Sequence, residues 1–342
     1  MSTFHSPKTI GLSTAAGRIE AADRILITTH TRADGDAVGC VTALIRLLEG
    51  RGKNVRAILH ETVPARYAFL PDVGALQIWD VDRAAEALSA ADLLILVDTC
   101  ASAQLGDVAE SIRSARLPRL AIDHHVTRDD VADEILLDET AGACARIITR
   151  LADHAGWSID ADSATLLFVG LMTDTGWLRF SNTHAAELAT AARLVEAGAR
   201  PDELYERLYL QDAEPRVRLI GEVLTSLELL AAGRLAVLRI TEDMLSRCGA
   251  ARDMTEEIIN EPQRMGSVVV CVLFVEPEGD GPVRVSFRSK RDVDVAAIAR
   301  RFGGGGHPRA SGAKITGTLE AVHQQVVPVV VRALDGKEPS SE

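Results

Sequence analysis

Asp123-His124-His125 directly follows the apolar run Leu120-Ala121-Ile122. One carboxylate and two imidazoles at the end of an apolar strand are costly unless they find polar or ionic partners. The pattern recurs along the chain. His30-x-x-x-Asp34-x-Asp36 follows Arg24-Ile25-Leu26-Ile27-Thr28-Thr29, Asp98 follows Leu93-Leu94-Ile95-Leu96-Val97, and Asp174 closes Leu166-Leu167-Phe168-Val169-Gly170-Leu171-Met172. Asp34, Asp36, Asp98 and Asp174 cannot share a pocket as free anions without taking up protons, and divalent cations remove that repulsion. Carboxylate and imidazole donors without a thiolate suit manganese or a similar borderline ion better than calcium or zinc. Six candidate ligands are too many for one ion that keeps an open position. They suit two ions that clamp the attacking and leaving oxygens of a phosphoryl displacement. Each residue alone has a plainer reading: Asp36 could cap the helix beginning near Ala37, and Asp123 could orient His124 without any metal. Four such coincidences at the ends of four apolar runs favour metal binding.

Elements with a common directional edge must bring these residues together. Residues 24–29, 54–59, 92–97 and 118–122 read as short apolar strands, with helical spacing between the first two at Ala37-Val38, Val41, Leu44-Ile45 and Leu47-Leu48. Strands alternating with helices predict an α/β fold with a mainly parallel, Rossmann-like sheet covered on both faces. Ligands of such sheets bind outside the carboxyl ends of the strands, where the acidic and histidine residues fall. Residues 163–172 read as a buried helix. The chain is expected to divide into a metal-binding domain over 1–184 and a helical connector over 185–230, broken at Pro201 and Pro215. A smaller α/β domain follows over 231–336, then a frayed tail over 337–342. In the second domain the strand candidates are 235–240, 268–275 and 283–288, the last two joined by the hairpin turn Pro277-Glu278-Gly279-Asp280-Gly281-Pro282.

Composition excludes several classes. No apolar run approaches the roughly 20 residues of a membrane span, and the first residues lack the charged-then-apolar pattern of a secretory leader. Five cysteines, none in a C-x-x-C pair, fit a reducing cytoplasm and argue against a disulfide framework or zinc knuckle. The net charge of −12 argues against coating long nucleic acid. Its distribution says more: residues 230–342 carry 15 basic and 15 acidic groups, so the whole excess lies in residues 1–229. Arg284, Arg288, Lys290, Arg291, Arg300, Arg301, Arg309 and Lys314 face only Asp292 and Asp294 within 284–314. This is either a solvated basic face or the binding half for a compact anion.

Arg301-Phe302-Gly303-Gly304-Gly305-Gly306-His307-Pro308-Arg309-Ala310-Ser311-Gly312 is the second concentrated signal. Four glycines make a poor helix or strand interior. They are read here as a loop whose backbone N–H groups approach a phosphate or base. Arg179, in Trp177-Leu178-Arg179-Phe180-Ser181-Asn182 after the Asp174 motif, is either a further contact in the cleft or a surface residue.

In order, His30-x-x-x-Asp34-Gly35-Asp36-Ala37, Val97-Asp98, Asp123-His124-His125 and Thr173-Asp174-Thr175-Gly176 resemble the motifs of the DHH phosphoesterase superfamily. The segment from Ser286-Phe287-Arg288-Ser289 to the glycine run resembles its associated C-terminal domain. The likeness extends from about residue 20 to 330 and is strongest to the nanoRNase/pAp-phosphatase branch. Ala33 stands where that family often has proline, and Cys40 where serine is common; both lie off the ligand set. The resemblance implies two manganese ions, with magnesium or cobalt as substitutes. His30 and Asp34 would bind the first, Asp36, His124 and Asp174 the second, and Asp98 would bridge them. His125 would touch the phosphate and Asp123 would orient an imidazole. In the C-terminal domain, Arg288 and His307 would grip a distal phosphate or sugar, Gly304 and Gly305 would lie close to the ligand, and Arg264, Ser286 and Arg309 would add contacts. The implied substrates are short oligoribonucleotides or pApA, 3′-phosphoadenosine 5′-phosphate and cyclic di-AMP, with a homodimer left open. An inorganic pyrophosphatase and a non-catalytic nucleotide sensor remain the alternative readings.

Overall fold

The computed structural model describes residues 6–79, 81–290 and 293–336. The tail expected over 337–342, and Arg291 and Asp292 of the basic stretch, lie outside the described residues. The chain forms two compact units, residues 1–211 and 212–342.

The first unit is built on seven strands: β1 (Lys8–Thr9), β2 (Arg24–Thr28), β3 (Asn54–Leu59), β4 (Gln77–Ile78), β5 (Leu93–Val97), β6 (Arg119–Asp123) and β7 (Glu134–Leu137). Their order is β1-β7-β6-β5-β2-β3-β4, and every neighbouring pair is parallel. All five residues of β5 are buried, because helices cover both faces. Ile25, Ile27, Ile95, Val97, Leu120 and Ile122 point into one helical layer. Leu26, Leu94, Leu96 and Ala121 point into the other. The first layer holds α1 (Leu12–Glu20), α2 (Gly35–Glu49), α5 (Cys144–Ala155) and α6 (Ala161–Asp174). The second holds α3 (Val81–Ala90) and α4 (Ala109–Ser114). Strands β1, β4 and β7 escape a reading of the sequence: two span only two exposed residues each, and the third is four residues without alternation.

Helix α2 is capped by Asp34, whose Oδ1 accepts from the N–H groups of Asp36 and Ala37 at 3.0 and 3.1 Å. The cap is therefore Asp34 and not Asp36, because the helix starts at Gly35. Asp36 is the second residue of the helix, fully buried. Helices α2 and α6 cross closely because Gly39 lies against the Leu166 carbonyl; a Cβ at residue 39 would stand 2.3 Å from that oxygen. Gly170 of α6 does the same for Asp36, whose Oδ1 would meet a Cβ at 2.6 Å.

The helices α7 (Ala185–Glu196) and α8 (Pro201–Tyr209) belong to the first unit and α9 (Glu214–Thr225) to the second, so the residues expected as a connector are shared between the units. Pro201 and Pro215 fall in the first turns of α8 and α9, where a missing N–H is harmless. The second unit carries β8 (Glu228–Leu230), β9 (Leu235–Ile240), α10 (Glu242–Cys248), β10 (Val270–Val275), β11 (Val283–Ser289), α11 (Val295–Arg300), β12 (Gly305–His307), β13 (Ala310–Ile315) and α12 (Leu319–Leu334). Its sheet runs β12-β13-β11-β10-β9-β8 and is antiparallel except for β9 against β10. Val283, Val285 and Phe287 pack under α11 and α12, while Ser286 and Arg288 point to the opposite face.

The crossing of α2 and α6 yields a test. Gly39→Ala should destabilise the chain by about 1–3 kcal/mol through overpacking against backbone, read as a lower urea midpoint with unchanged slope.

Candidate metal centre

The sheet places its chemistry at one edge. His30 lies two residues beyond β2, Asp98 directly beyond β5, Asp123 at the end of β6 and His124 just past it. Asp34 and Asp36 enter from the N-terminus of α2, and Asp174 from the last residue of α6. Three overlapping groups result: His30, Asp34 and Asp98; Asp36, His124 and Asp174; and Asp98, His124 and His125. Within each, the candidate ligand atoms all lie within 4.8 Å of one another. Asp98 is common to the first and third. Its φ of 61° is left-handed, a strained conformation that persists only where surrounding structure fixes it.

The donors are already oriented. His30 Nδ1 lies 2.8 Å from the Thr31 carbonyl and His124 Nδ1 3.0 Å from that of Ala141. A carbonyl can only accept, so both Nδ1 atoms donate and each Nε2 is turned toward carboxylates. His30 Nε2 stands 3.5 Å from Asp98 Oδ2, and His124 Nε2 stands 3.3 Å from both Asp98 Oδ1 and Asp174 Oδ2. Despite these distances, His124 Nε2 and Asp98 Oδ1 are buried with no hydrogen-bond partner. Orphaned polar atoms of this kind are uncommon and call for an ion or water. Burial and the negative charges of Asp36, Asp98 and Asp34 raise the pKa of Asp174. Burial and Asp98 do the same to Asp36. Burial pushes His30 and His124 down, but Asp98 outweighs it and carries them up to about 9 and about 10. Burial pushes Asp98 up, and His124 and His30 more than offset it, so its pKa falls. The cluster thus favours positive charge in its midst, and the donor set fits a divalent ion: hard carboxylates plus imidazole Nε2, with carbonyls behind each ring.

Asp36 is held by three donors. Its Oδ2 accepts from Cys144 N–H at 2.5 Å, and its Oδ1 from Ala145 N–H at 3.0 Å and the Cys40 thiol at 3.1 Å. The first two are free N–H groups of helix α5, an N-terminus that favours negative charge. Asp123 Oδ1 accepts from the N–H groups of His124 and His125 and from His125 Nδ1 at 2.8 Å. The His125 ring is thereby fixed, its side chain 41% exposed, and Asp123 is the first cause of its raised pKa.

A reading of the sequence misses several members of this edge. His60 follows β3 as the candidate ligands follow their strands, though it joins none of the three groups. Its Nε2 donates to the Thr29 carbonyl at 2.7 Å and its ring stacks on Trp79. The same apolar-run rule would have found it. Glu187 and Arg146, a buried pair 2.5 Å apart, carried no sequence signal, since the partners lie 41 residues apart. Glu187 also accepts from Gly142 N–H, steadying the turn before α5.

In the second unit Arg288 and His307 share one row of the sheet: each is paired with Ala310, on opposite sides of β13. Ser286, Gly312 and Gly305 form the next row on the same face. Burial lowers the Arg288 pKa. The glycine run is not the free loop expected: Gly305–His307 is an edge strand, and a Cβ at Gly304 would stand 2.1 Å from the Gly312 carbonyl. Glycine is needed there for backbone to approach backbone. Gly305, by contrast, has open space where its Cβ would be, and His307 and Arg309 are exposed. Arg264 is exposed at the end of a 3-10 turn, 3.6 Å from Glu261.

A parallel sheet with carboxylates and imidazoles gathered at its carboxyl edge defines an α/β protein with a candidate metal centre. The chain belongs to the DHH phosphoesterase family: the DHH family N-terminal domain matches residues 24–171 and the DHHA1 domain residues 234–335. It is 31% identical over 312 residues to the bifunctional oligoribonuclease and PAP phosphatase NrnA of Thermus thermophilus, covering 90% of this chain and 89% of that protein. Its fold is similar to the crystal structure of an exopolyphosphatase-related protein from Bacteroides fragilis, with TM-score 0.86, 24% identity and 95% of each chain covered. It also resembles RecJ of Thermus thermophilus in complex with Mn2+, with TM-score 0.56 and 17% identity, covering 96% of this chain and 55% of that one.

The brace beside the site gives a pH test. Burial raises the Glu187 pKa, but Arg146 and the Gly142 and His184 N–H groups hold it below its ordinary 4.5. Its stabilisation is therefore full above pH 4.5 and lost as pH falls through the lower folded value. Urea midpoints of wild type should fall below pH 4.5 more steeply than those of Glu187→Gln, which should be less stable at neutral pH.

Proposed function

We propose that this chain is a manganese-dependent phosphoesterase acting on short nucleotides: oligoribonucleotides and pApA to mononucleotides, 3′-phosphoadenosine 5′-phosphate to AMP, and cyclic di-AMP. The observation that carries the reading is the pair of donor groups, His30 with Asp34 and Asp36 with His124 and Asp174, on either side of the buried and strained Asp98. The first group and the second would each hold one ion, with Asp98 shared. When bound, the ions would supply a nucleophilic water at neutral pH and neutralise charge on the phosphoryl oxygens.

The chain's own residues do the rest. Asp98 is fixed between His30 and His124 before any substrate arrives, so no reorganisation is needed at the moment of reaction. Asp123 holds His125 Nδ1 and leaves the other ring nitrogen on the exposed side, positioned to touch a phosphoryl oxygen. Arg288, half-buried on the face of β11 opposite α11 and α12 and with His307 in the same row, presents a planar fork suited to phosphate. The nuclease and phosphatase activities named for the Thermus thermophilus relative, and the Mn2+ in the RecJ structure, support substrate class and metal.

Purified protein should release AMP from pApA in manganese and stop on addition of excess EDTA; turnover that persists in EDTA would overturn the metal-dependent reading. Asp98→Ala should lower kcat by at least about a thousandfold, the scale of losing a preorganised electrostatic group, while the folded circular-dichroism spectrum is kept. Arg288→Lys should raise KM for pApA about tenfold, since a point charge does not replace the fork.

A further inference from the structure

We infer that the turn after Asp174 is a nucleotide subsite: Arg179 takes a phosphate of the substrate that is not the one cleaved, and the outer face of Phe180 takes a base. The inference rests on the phosphoesterase reading and names how one part of its substrate is recognised.

Gly176, Trp177 and Leu178 have φ of 55°, 59° and 62°. Left-handed backbone at two successive non-glycine residues is unfavourable and needs something to hold it. Trp177 is that anchor. Its N–H donates to the Met172 carbonyl at 2.6 Å, and its ring meets Phe168, Tyr205 and Tyr209 edge-on at 6.0, 5.1 and 5.5 Å. Arg179 and Phe180 then both donate to the Thr175 carbonyl at 3.0 Å, closing the turn. Asn182 returns the chain to the site, donating to the carbonyls of Asp174 and Gly142. The strained segment thus fixes two side chains five and six residues beyond a candidate metal ligand, in a turn that Asn182 ties back to the Asp174 carbonyl.

Both side chains are unusual for a surface. Phe180 is 56% exposed, and its ring lies over Gly176, where a Cβ would stand 2.4 Å from the ring. One part of the ring is therefore seated on backbone while the rest faces water. Arg179 donates its Nε–H to the Gly176 carbonyl at 2.7 Å, which aims the guanidinium. Among the described residues no carboxylate is seen to pair with it, and its side chain is oriented instead by that backbone carbonyl. An oriented, unneutralised guanidinium next to an exposed aromatic ring, at the rim of a phosphoryl site, matches a nucleotide: the fork suits phosphate and the ring stacks on any base.

The test compares pApA with ApA, which differ by one phosphate, using the full chain in manganese. Arg179→Ala should shrink the pApA-to-ApA ratio of kcat/KM at least about tenfold, mostly through KM for pApA. Arg179→Lys should recover only part of it. An unchanged ratio in either variant, with wild-type melting temperature, overturns the phosphate assignment. Phe180→Ala should raise KM for pApA about tenfold and Phe180→Tyr should restore it; an unchanged KM in Phe180→Ala overturns the base assignment. If wild type cleaves neither dinucleotide, the phosphoesterase reading fails on its own. Binding of 5′-AMP followed by tryptophan fluorescence then decides the subsite, with Arg179→Ala expected to weaken it about tenfold and equal affinity overturning it.

Discussion

A carboxylate buried at the end of a parallel strand, in a left-handed conformation and between two imidazoles, is the interaction on which the first unit turns. Asp98 has 2% of its surface exposed, and its Oδ1 finds no hydrogen bond. Asp36 and Asp174 stand close enough to raise their own pKa values through its charge. Such a cluster disfavours folding unless positive charge compensates it. Asp98 raises the pKa values of His30 and His124, so positive charge on these rings or a bound cation would supply that compensation. The geometry of the Nε2 atoms, each backed by a carbonyl at Nδ1, is the arrangement by which proteins hold imidazoles for metals.

The scaffold is shaped to bring these charges together. Small residues at Gly39 and Gly170 let α2, α5 and α6 approach closely enough for Asp36 to reach the free N–H groups of α5. The turn that starts α5 is in turn steadied by Glu187 and Arg146. Positions far apart in the chain, 36, 144, 170 and 187, therefore act as one support, and the cost of the charge cluster is offset in packing and hydrogen bonds around it. The Asp174 end carries its own strain, held by the Trp177 aromatic cluster.

The second unit solves a different problem. Its sheet must keep a charged arginine among apolar strands. Alternation in β11 buries Val283, Val285 and Phe287 and leaves Ser286 and Arg288 on the other face. Small partners, Ala310 and Gly312, keep that face low beside them. The glycine run adds an edge strand with open space at Gly305, a pinned edge and not a loose loop.

Much of this was legible in the sequence because strand ends in a parallel sheet share one edge. Hydrophobic runs before His30, Asp98 and His124 located strands, and strand direction alone placed those residues together. The doubly covered sheet, its second domain and the hairpin of β10 and β11 followed from pattern and turn residues. The sequence could not say that Asp34 caps α2 while Asp36 turns inward, since the choice depends on where α5 presents its N–H groups. Nor could it show the Arg146 and Glu187 brace, the His60 position beside Thr29, or the left-handed turn that delivers Arg179 and Phe180. The chemistry of the site was thus set by residue type and local order. Orientation, strain and support were decided by tertiary structure, because they depend on contacts between segments tens of residues apart that no local pattern encodes.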